Sequence, residues 1–416
     1  MRIGIFTETY PPFINGVSTS ILMLQRALEK KGHTVFIVTV NNDIIKYEYD
    51  EKNRILRLPS APLHVYDYRF TSVYPVKAIK TIKNMNLDVI HTHIELTIGM
   101  FARIISKQLS IPLVHTYHTL WQDYTHYVTH GKYILDKASK EIVKYASIFM
   151  ADKTTTELIV PTRKIYKILR QNYNITKNIH IVPTGIDVER FDIKNIDKKK
   201  IEDLRKKYKL KKKDFVILSV SRIAKEKSLD KLIINHKELL KKYPNIKLLI
   251  VGDGPDKEDL ENLVKKLKIE KNVIFTGKVP LEDVQIYYHL ASVFATFSTS
   301  ETQGLTLCEA AASSVPIVAI NDDSFVDAVI DNLNGFVFET DEEYIDSISK
   351  LYKDKKLLEY FSNQSKLLSN SMSSDYFADR VLKVYEEAIK NYNEYNKNIF
   401  NKLKTKIESK VIEWKK

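Results

Sequence analysis

Short apolar runs of strand length alternate along this chain with amphipathic stretches of helical period, and the whole series occurs twice. Residues 3–6 and 35–40 flank a helical stretch around 17–31, and residues 88–91 and 112–115 continue the series. A charged, strand-poor stretch, 192–213, follows. The rhythm then returns in residues 215–220, 247–251, 273–275, 293–297 and 317–319. Apolar strands alternating with amphipathic helices make parallel sheets covered on both faces. The chain is therefore expected to be α/β, with two doubly wound, Rossmann-like domains. Its 416 residues are enough for each to bury its own core. The expected boundary lies near Pro183-Thr184-Gly185-Ile186. This gives a first domain over 1–186, a second over 187–374, and a strandless helical segment over 375–416 that packs back toward the first domain.

The net charge of +13 is unevenly placed: residues 1–186 carry 24 Lys and Arg against 14 Asp and Glu, a net +10, and the remainder carries +3. A one-sided basic excess points to a polyanionic partner, either an anionic membrane surface or nucleic acid, although Lys richness of the whole chain also contributes. No zinc-finger or RRM-type signature is present and the charge is not focused on one recognition helix, so nucleic acid is not expected as a partner. The segment 75–85 places Val76, Ile79 and Ile82 at helical spacing with Lys77, Lys80 and Lys83 beside them, downstream of Tyr66, Tyr68, Phe70 and Tyr74. Such a helix reads either as an interfacial membrane contact or as a packed helix with a solvated Lys face. Residues 132–170 add nine Lys and Arg against four Asp and Glu. No stretch reads as a secretory leader, no apolar run is long enough to span a bilayer, and Cys308 is the single cysteine. These features lead to the expectation of a cytoplasmic protein.

Candidate chemistry gathers at the ends of the apolar runs. Gly16 and Val17 lie between the first strand and first helix, where a glycine lets backbone amides approach a phosphate but also makes a plain turn. No GxGxxG is present, so no dinucleotide cofactor is indicated. Arg222 and Lys227 follow the strand at 215–220 and can converge on a diphosphate, or lie in a solvated loop. Gly252-Asp253-Gly254-Pro255 is a tight turn by composition. Glu301 lies in the loop after the strand at 293–297. Gln303, Gly304 and Leu305 bring backbone amides to the start of the next helix, and Glu309 lies about one turn into it. Carboxylates suit sugar and ribose hydroxyls, since each accepts two hydrogen bonds. The apolar and small neighbours Leu307, Cys308 and Ala310 imply a polar ligand or partner for Glu309. Histidines 91, 93, 115 and 118 end two strands. They suit hydroxyl binding or structural roles, and no recognised metal-ligand motif such as HExxH accompanies them.

Taken together, these segments resemble the family 4 glycosyltransferases, which have the GT-B fold, over nearly the whole chain. The Glu301-x7-Glu309 segment, following Arg222/Lys227 and the Gly16 loop, carries the resemblance. It implies a nucleotide-sugar donor bound in a central cleft that the two domains face. Arg222 and Lys227 would hold the diphosphate, Glu309 the ribose, and Glu301 with the 303–305 backbone the sugar. His118 would be the active-site histidine, and Gly16 and Val17 would contact the diphosphate. It also implies retention of anomeric configuration, with no metal needed for transfer and a divalent ion serving at most as an activator. Ser228 stands where many members have glycine, and is expected to cap the following helix. Within the family, the His115–Trp121 segment, residues 301–306 and Asp88-Val89-Ile90-His91-Thr92-His93 look most like bacterial diacylglycerol glucosyltransferases. These use UDP-glucose and diacylglycerol at the cytoplasmic membrane face. Competing expectations are the same chemistry on a soluble or polyprenyl-linked acceptor, a UDP-sugar epimerase or hydrolase, and a non-enzymatic membrane- or nucleic-acid-binding protein.

Overall fold

A computed structural model of the chain describes residues 1–13, 16–62, 69–93, 96–118 and 133–414. Tyr66, Tyr68, Thr119, Leu120 and Trp121 lie outside these. The chain forms two compact units, Met1–Val182 with Phe377–Lys416, and Pro183–Tyr376.

The first unit is built on strands β1 (Arg2–Phe6), β2 (Thr34–Val40), β3 (Glu48–Asp50), β4 (Ile55–Leu58), β7 (Val89–Thr92), β8 (Leu113–Thr116), β9 (Glu157–Val160) and β10 (Ile179–Ile181); the short pair β5 (Ala61–Pro62) and β6 (Arg69–Phe70) stands apart. Their order in the sheet is β10-β9-β8-β7-β1-β2-β4-β3, parallel throughout except at β3. Helix Gly16–Lys30 buries Ile21, Leu24, Ala27 and Leu28, one face at helical spacing. The long helix Ser374–Trp414 adds Phe377, Ala378, Val381, Val384, Tyr385 and Ala388 to the same apolar cluster as Ile3, Ile5 and Ile21. The last helix is thus part of this unit's core.

The second unit contains β11 (Val216–Val220), β12 (Lys247–Val251), β13 (Val273–Phe275), β14 (Val293–Thr296), β15 (Ile317–Ile320) and β16 (Gly335–Phe338). All neighbours are parallel, in the order β13-β12-β11-β14-β15-β16. Renumbered from its first strand this is 3-2-1-4-5-6, the Rossmann order. Side chains alternate along β11: Val216, Leu218 and Val220 enter one core and Ile217 the other. That alternation explains why the strand is apolar at every position but Ser219, since both faces are covered.

The helix foreseen at 75–85 is Val76–Asn84, but its buried face is Ala78 and Ile82. Val76, expected on that apolar face, is 70% exposed beside the exposed Lys77, Lys80 and Lys83. Ala78, which the spacing argument did not include, takes a packed position instead.

Candidate functional site

In an open parallel sheet, ligands bind beyond the carboxyl ends of the strands where the strand order reverses. In the second unit that point lies between β11 and β14, since β12 pairs with one side of β11 and β14 with the other. The two loops leaving these strands carry Arg222–Lys227 and Ser298–Gly304, and they are tied together. The Glu226 carbonyl accepts from the Ser300 hydroxyl at 3.2 Å and the Ser298 hydroxyl at 3.5 Å. Lys227 Nζ lies 2.6 Å from Glu301 Oε1, and Ser298 Oγ donates to the same oxygen at 3.1 Å. The side chains of this pair are 18% and 25% exposed, so both charges are partly desolvated and can still reach a ligand. Arg222 is exposed at the loop tip. An ammonium, a guanidinium and a carboxylate at a switch point can bind a diphosphate and a hydroxyl-rich group side by side.

The Gly252–Pro255 turn supports this arrangement from behind. Ile223 N–H donates to the Asp253 carbonyl at 2.9 Å, and Ser221 N–H to the Val251 carbonyl at 3.1 Å. Gly252 has φ +142°, and a Cβ there would lie 1.9 Å from the Ser221 carbonyl oxygen; one at Gly254 would lie 2.1 Å from that of Ile223. These two glycines let the turn press on the backbone that presents Arg222.

Glu309 follows on helix Leu305–Ala312. Its Oε2 accepts from the Tyr288 hydroxyl at 2.6 Å, a partner the sequence did not reveal because it sits on the preceding short helix, Val284–Tyr288. The residue keeps partial exposure while its carboxyl is enclosed, and burial raises its pKa to about 7, against the opposing effects of the Tyr288 hydrogen bond and Arg190. Because the folded pKa lies above the ordinary 4.5, the associated stability is full below about 4.5 and is lost as pH rises through 7, roughly 3 kcal/mol in all. Glu309→Gln is expected to raise the stability of the ligand-free protein at pH 8, read by thermal melting.

Two expectations, those for the Leu305 N–H and for Ser228, meet a different geometry. The Leu305 N–H, expected to face an anion, donates to the Gln303 carbonyl at 2.9 Å. The Gln303 side chain is engaged elsewhere: its Oε1 accepts from Thr184 N–H at 2.8 Å and its Nε2 donates to the Thr184 carbonyl at 3.0 Å. Ser228 precedes helix Leu229–Lys242 but makes no side-chain cap. It sits at φ +50°, a left-handed conformation that glycine adopts without strain.

In the first unit the strand order reverses between β1 and β7. Beyond them, Glu8 Oε1 accepts from Ile98 N–H at 2.6 Å, anchoring the start of helix Thr97–Leu109, a contact no sequence spacing announced. His93 Nδ1 and His118 Nε2 are 2.9 Å apart, and His91 is held by the Tyr385 and Thr116 hydroxyls at 2.7 Å each. His115 Nδ1 donates to the Thr92 carbonyl at 3.1 Å. Among the described residues the histidines at 91–118 form no group with metal-ligand geometry; Glu157, His180 and Glu387 do, and there Glu157 already bonds His180 and Asn391. Gly16 opens its helix, exposed, with nothing within 4 Å of where a Cβ would stand. Val17 is partly buried against the core of its unit.

Two parallel sheets of this kind, each with its own switch point, are the two Rossmann-like domains of the GT-B fold. Solved structures agree in fold: HepE of Anabaena in complex with UDP superposes with TM-score 0.71 at 15% identity, over 93% of this chain and 100% of that one. A glycosyltransferase from Rickettsia africae superposes with TM-score 0.69 at 18% identity, over 94% and 98%. The profile described as Glycosyltransferase Family 4 matches residues 14–190, and that described as Glycosyl transferases group 1 matches residues 200–368. Among curated relatives, the alpha-monoglucosyldiacylglycerol synthase of Acholeplasma laidlawii is 34% identical over 95% of this chain and 100% of its own length. That of Streptococcus pneumoniae is 33% identical over 94% and 86%. The chain belongs to glycosyltransferase family 4.

Proposed function

We propose that this enzyme transfers glucose from UDP-glucose to the 3-hydroxyl of 1,2-diacylglycerol at the cytoplasmic face of a membrane, with retention, giving monoglucosyldiacylglycerol. The observation that carries the reading is identity of 33–34% over nearly the full chain to two alpha-monoglucosyldiacylglycerol synthases. Arg222 and Lys227 hold the diphosphate and stabilise the charge that grows on it as the C1–O bond to phosphate breaks. Glu301 and the backbone at Gln303 and Gly304 hold the sugar, and Glu309 the ribose. His118, Gly16 and Val17 act on the same donor. The transition state is oxocarbenium-like; the acceptor oxygen bonds to C1 from the leaving-group face, and its proton passes to the departing phosphate oxygen. The chemistry asks for no metal ion, and a divalent ion acts only as an activator.

Surface chemistry supports the lipid acceptor. Phe70, Val73, Tyr74 and Val76 are exposed, and Tyr74 OH donates to Gln108 at 3.4 Å, on the helix that also exposes Met100 and Ile104. Lys77, Lys80 and Lys83 flank this apolar patch. Ile142, Tyr145 and Phe149 form a second exposed row at helical spacing. Apolar side chains with cations beside them suit the interface of an anionic bilayer. Among the described residues no helix is long and apolar enough to cross one. Replacing Lys77, Lys80 and Lys83 together by alanine is expected to weaken binding to anionic vesicles on the order of 100-fold, at about 1 kcal/mol per lysine. Co-sedimentation measures this. Unchanged binding by the triple variant contradicts the assigned contact, and no vesicle binding by the wild type favours a soluble acceptor.

A further inference from the structure

The histidine cluster of the first unit holds one proton whose place decides what His118 can do. His93 Nδ1 and His118 Nε2 are 2.9 Å apart, so a single hydrogen lies between them and one nitrogen donates while the other accepts. If His118 Nε2 donated, His93 would carry its own proton on Nε2. That atom has no hydrogen-bond partner among the described residues, in a side chain only 2% exposed. A stranded buried N–H is rarer in proteins than an under-used acceptor. The favourable arrangement therefore has His93 Nδ1–H donating and His93 Nε2 as a bare lone pair. Burial first, and then the neighbouring His91, keep His93 neutral by holding its pKa well below the usual histidine range. The ring cannot easily turn to change this. It lies between His91, centroids 4.0 Å apart, and His118, centroids 5.2 Å apart, and His91 is fixed at both nitrogens by Tyr385 and Thr116.

We infer that His93 is a positioning residue: by donating from Nδ1 to His118 Nε2, it holds His118 in the tautomer protonated on Nδ1, so that His118 serves the donor sugar as a hydrogen-bond donor and not as a base. This rests on the role given above to His118. It fits a reaction in which the leaving phosphate, and no side chain, takes the acceptor proton.

The tautomer is read directly by two-bond ¹H–¹⁵N correlation on the full chain labelled with ¹⁵N-histidine, the His118 signals being those lost in His118→Gln. The expected result is His118 with a protonated Nδ1 and a bare Nε2; the reverse pattern overturns the inference. Kinetics give a second readout. Asparagine can place a donor near the position of Nδ1, whereas glutamine reaches toward Nε2 and leucine supplies no donor. His93→Asn is expected to keep most of kcat, and His93→Gln and His93→Leu to lose about tenfold or more, with KM for UDP-glucose little changed. Equal kcat in all three variants and the wild type also overturns it. A wild-type protein that transfers no sugar defeats the proposed function, while the tautomer measurement still decides the assignment of His93.

Discussion

Replacing Lys227 by alanine is expected to lower kcat for sugar transfer by about 100- to 1000-fold, the range found when one preorganised charge-stabilising group is removed from a transition state. The structure adds a signature that distinguishes this from a general loss of positive charge. Lys227 Nζ lies 2.6 Å from Glu301 Oε1, so the variant leaves a partly desolvated carboxylate beside the site assigned to the diphosphate. Glu301→Gln should therefore do less harm in the Lys227→Ala background than in the wild type, with a coupling of about 1–3 kcal/mol in a double-mutant cycle. Steady-state kinetics with UDP-glucose measure all four corners. Strict additivity would show that the two residues do not act as a unit. Thermal melting of each variant separates a catalytic loss from an unfolded site.

Gly252→Ala is expected to act on stability and on the site together. Its Cβ would lie 1.9 Å from the Ser221 carbonyl oxygen, at a φ of +142° that side-chain-bearing residues rarely adopt. Overpacking and backbone strain together cost roughly 3 kcal/mol or more. In a unit of this size that lowers its melting temperature by roughly 6–12 °C. Relief comes only by moving Ser221–Ile223, the backbone that presents Arg222, so the surviving folded fraction should also bind UDP more weakly. Calorimetric melting and UDP titration check the two effects. A variant that melts like the wild type would mean that the two turns do not press together as described.

Most of the strands that were foreseen were legible because they are buried on both faces and read as largely apolar runs; the stretch seen at 215–220 is β11, Val216–Val220, and that at 247–251 is β12, whereas β3, β4, β5, β6, β9, β10 and β16 were not foreseen. The residues at the switch point were also legible, since strand ends mark loops and the loops after β11 and β14 hold charged residues in an apolar context. What stayed hidden depends on contacts between residues far apart in sequence. Tyr288 meets Glu309 from another helix, the Gln303 amide clasps Thr184 119 residues away, and Tyr385 fixes His91 across 294 residues. Periodicity reports which face of an element is buried, and carries no information on which distant side chain completes a hydrogen bond. The exposure of Val76 on the helix Val76–Asn84 has the same origin, while Ile82 is buried and Ile79 packs against the core as the spacing foresaw. Valine fitted the apolar spacing, but the neighbouring elements bury Ala78 and leave Val76 in solvent.

The central claim is transfer of glucose to a lipid, and one assay tests it most directly. Purified protein is incubated with UDP-glucose and diacylglycerol in mixed anionic vesicles, and the product is identified by mass and by the anomeric NMR coupling. The predicted result is a monoglucosyldiacylglycerol with the α configuration of the donor. A β product, or sugar delivered to a soluble or polyprenyl-linked acceptor while diacylglycerol is left untouched, would contradict it.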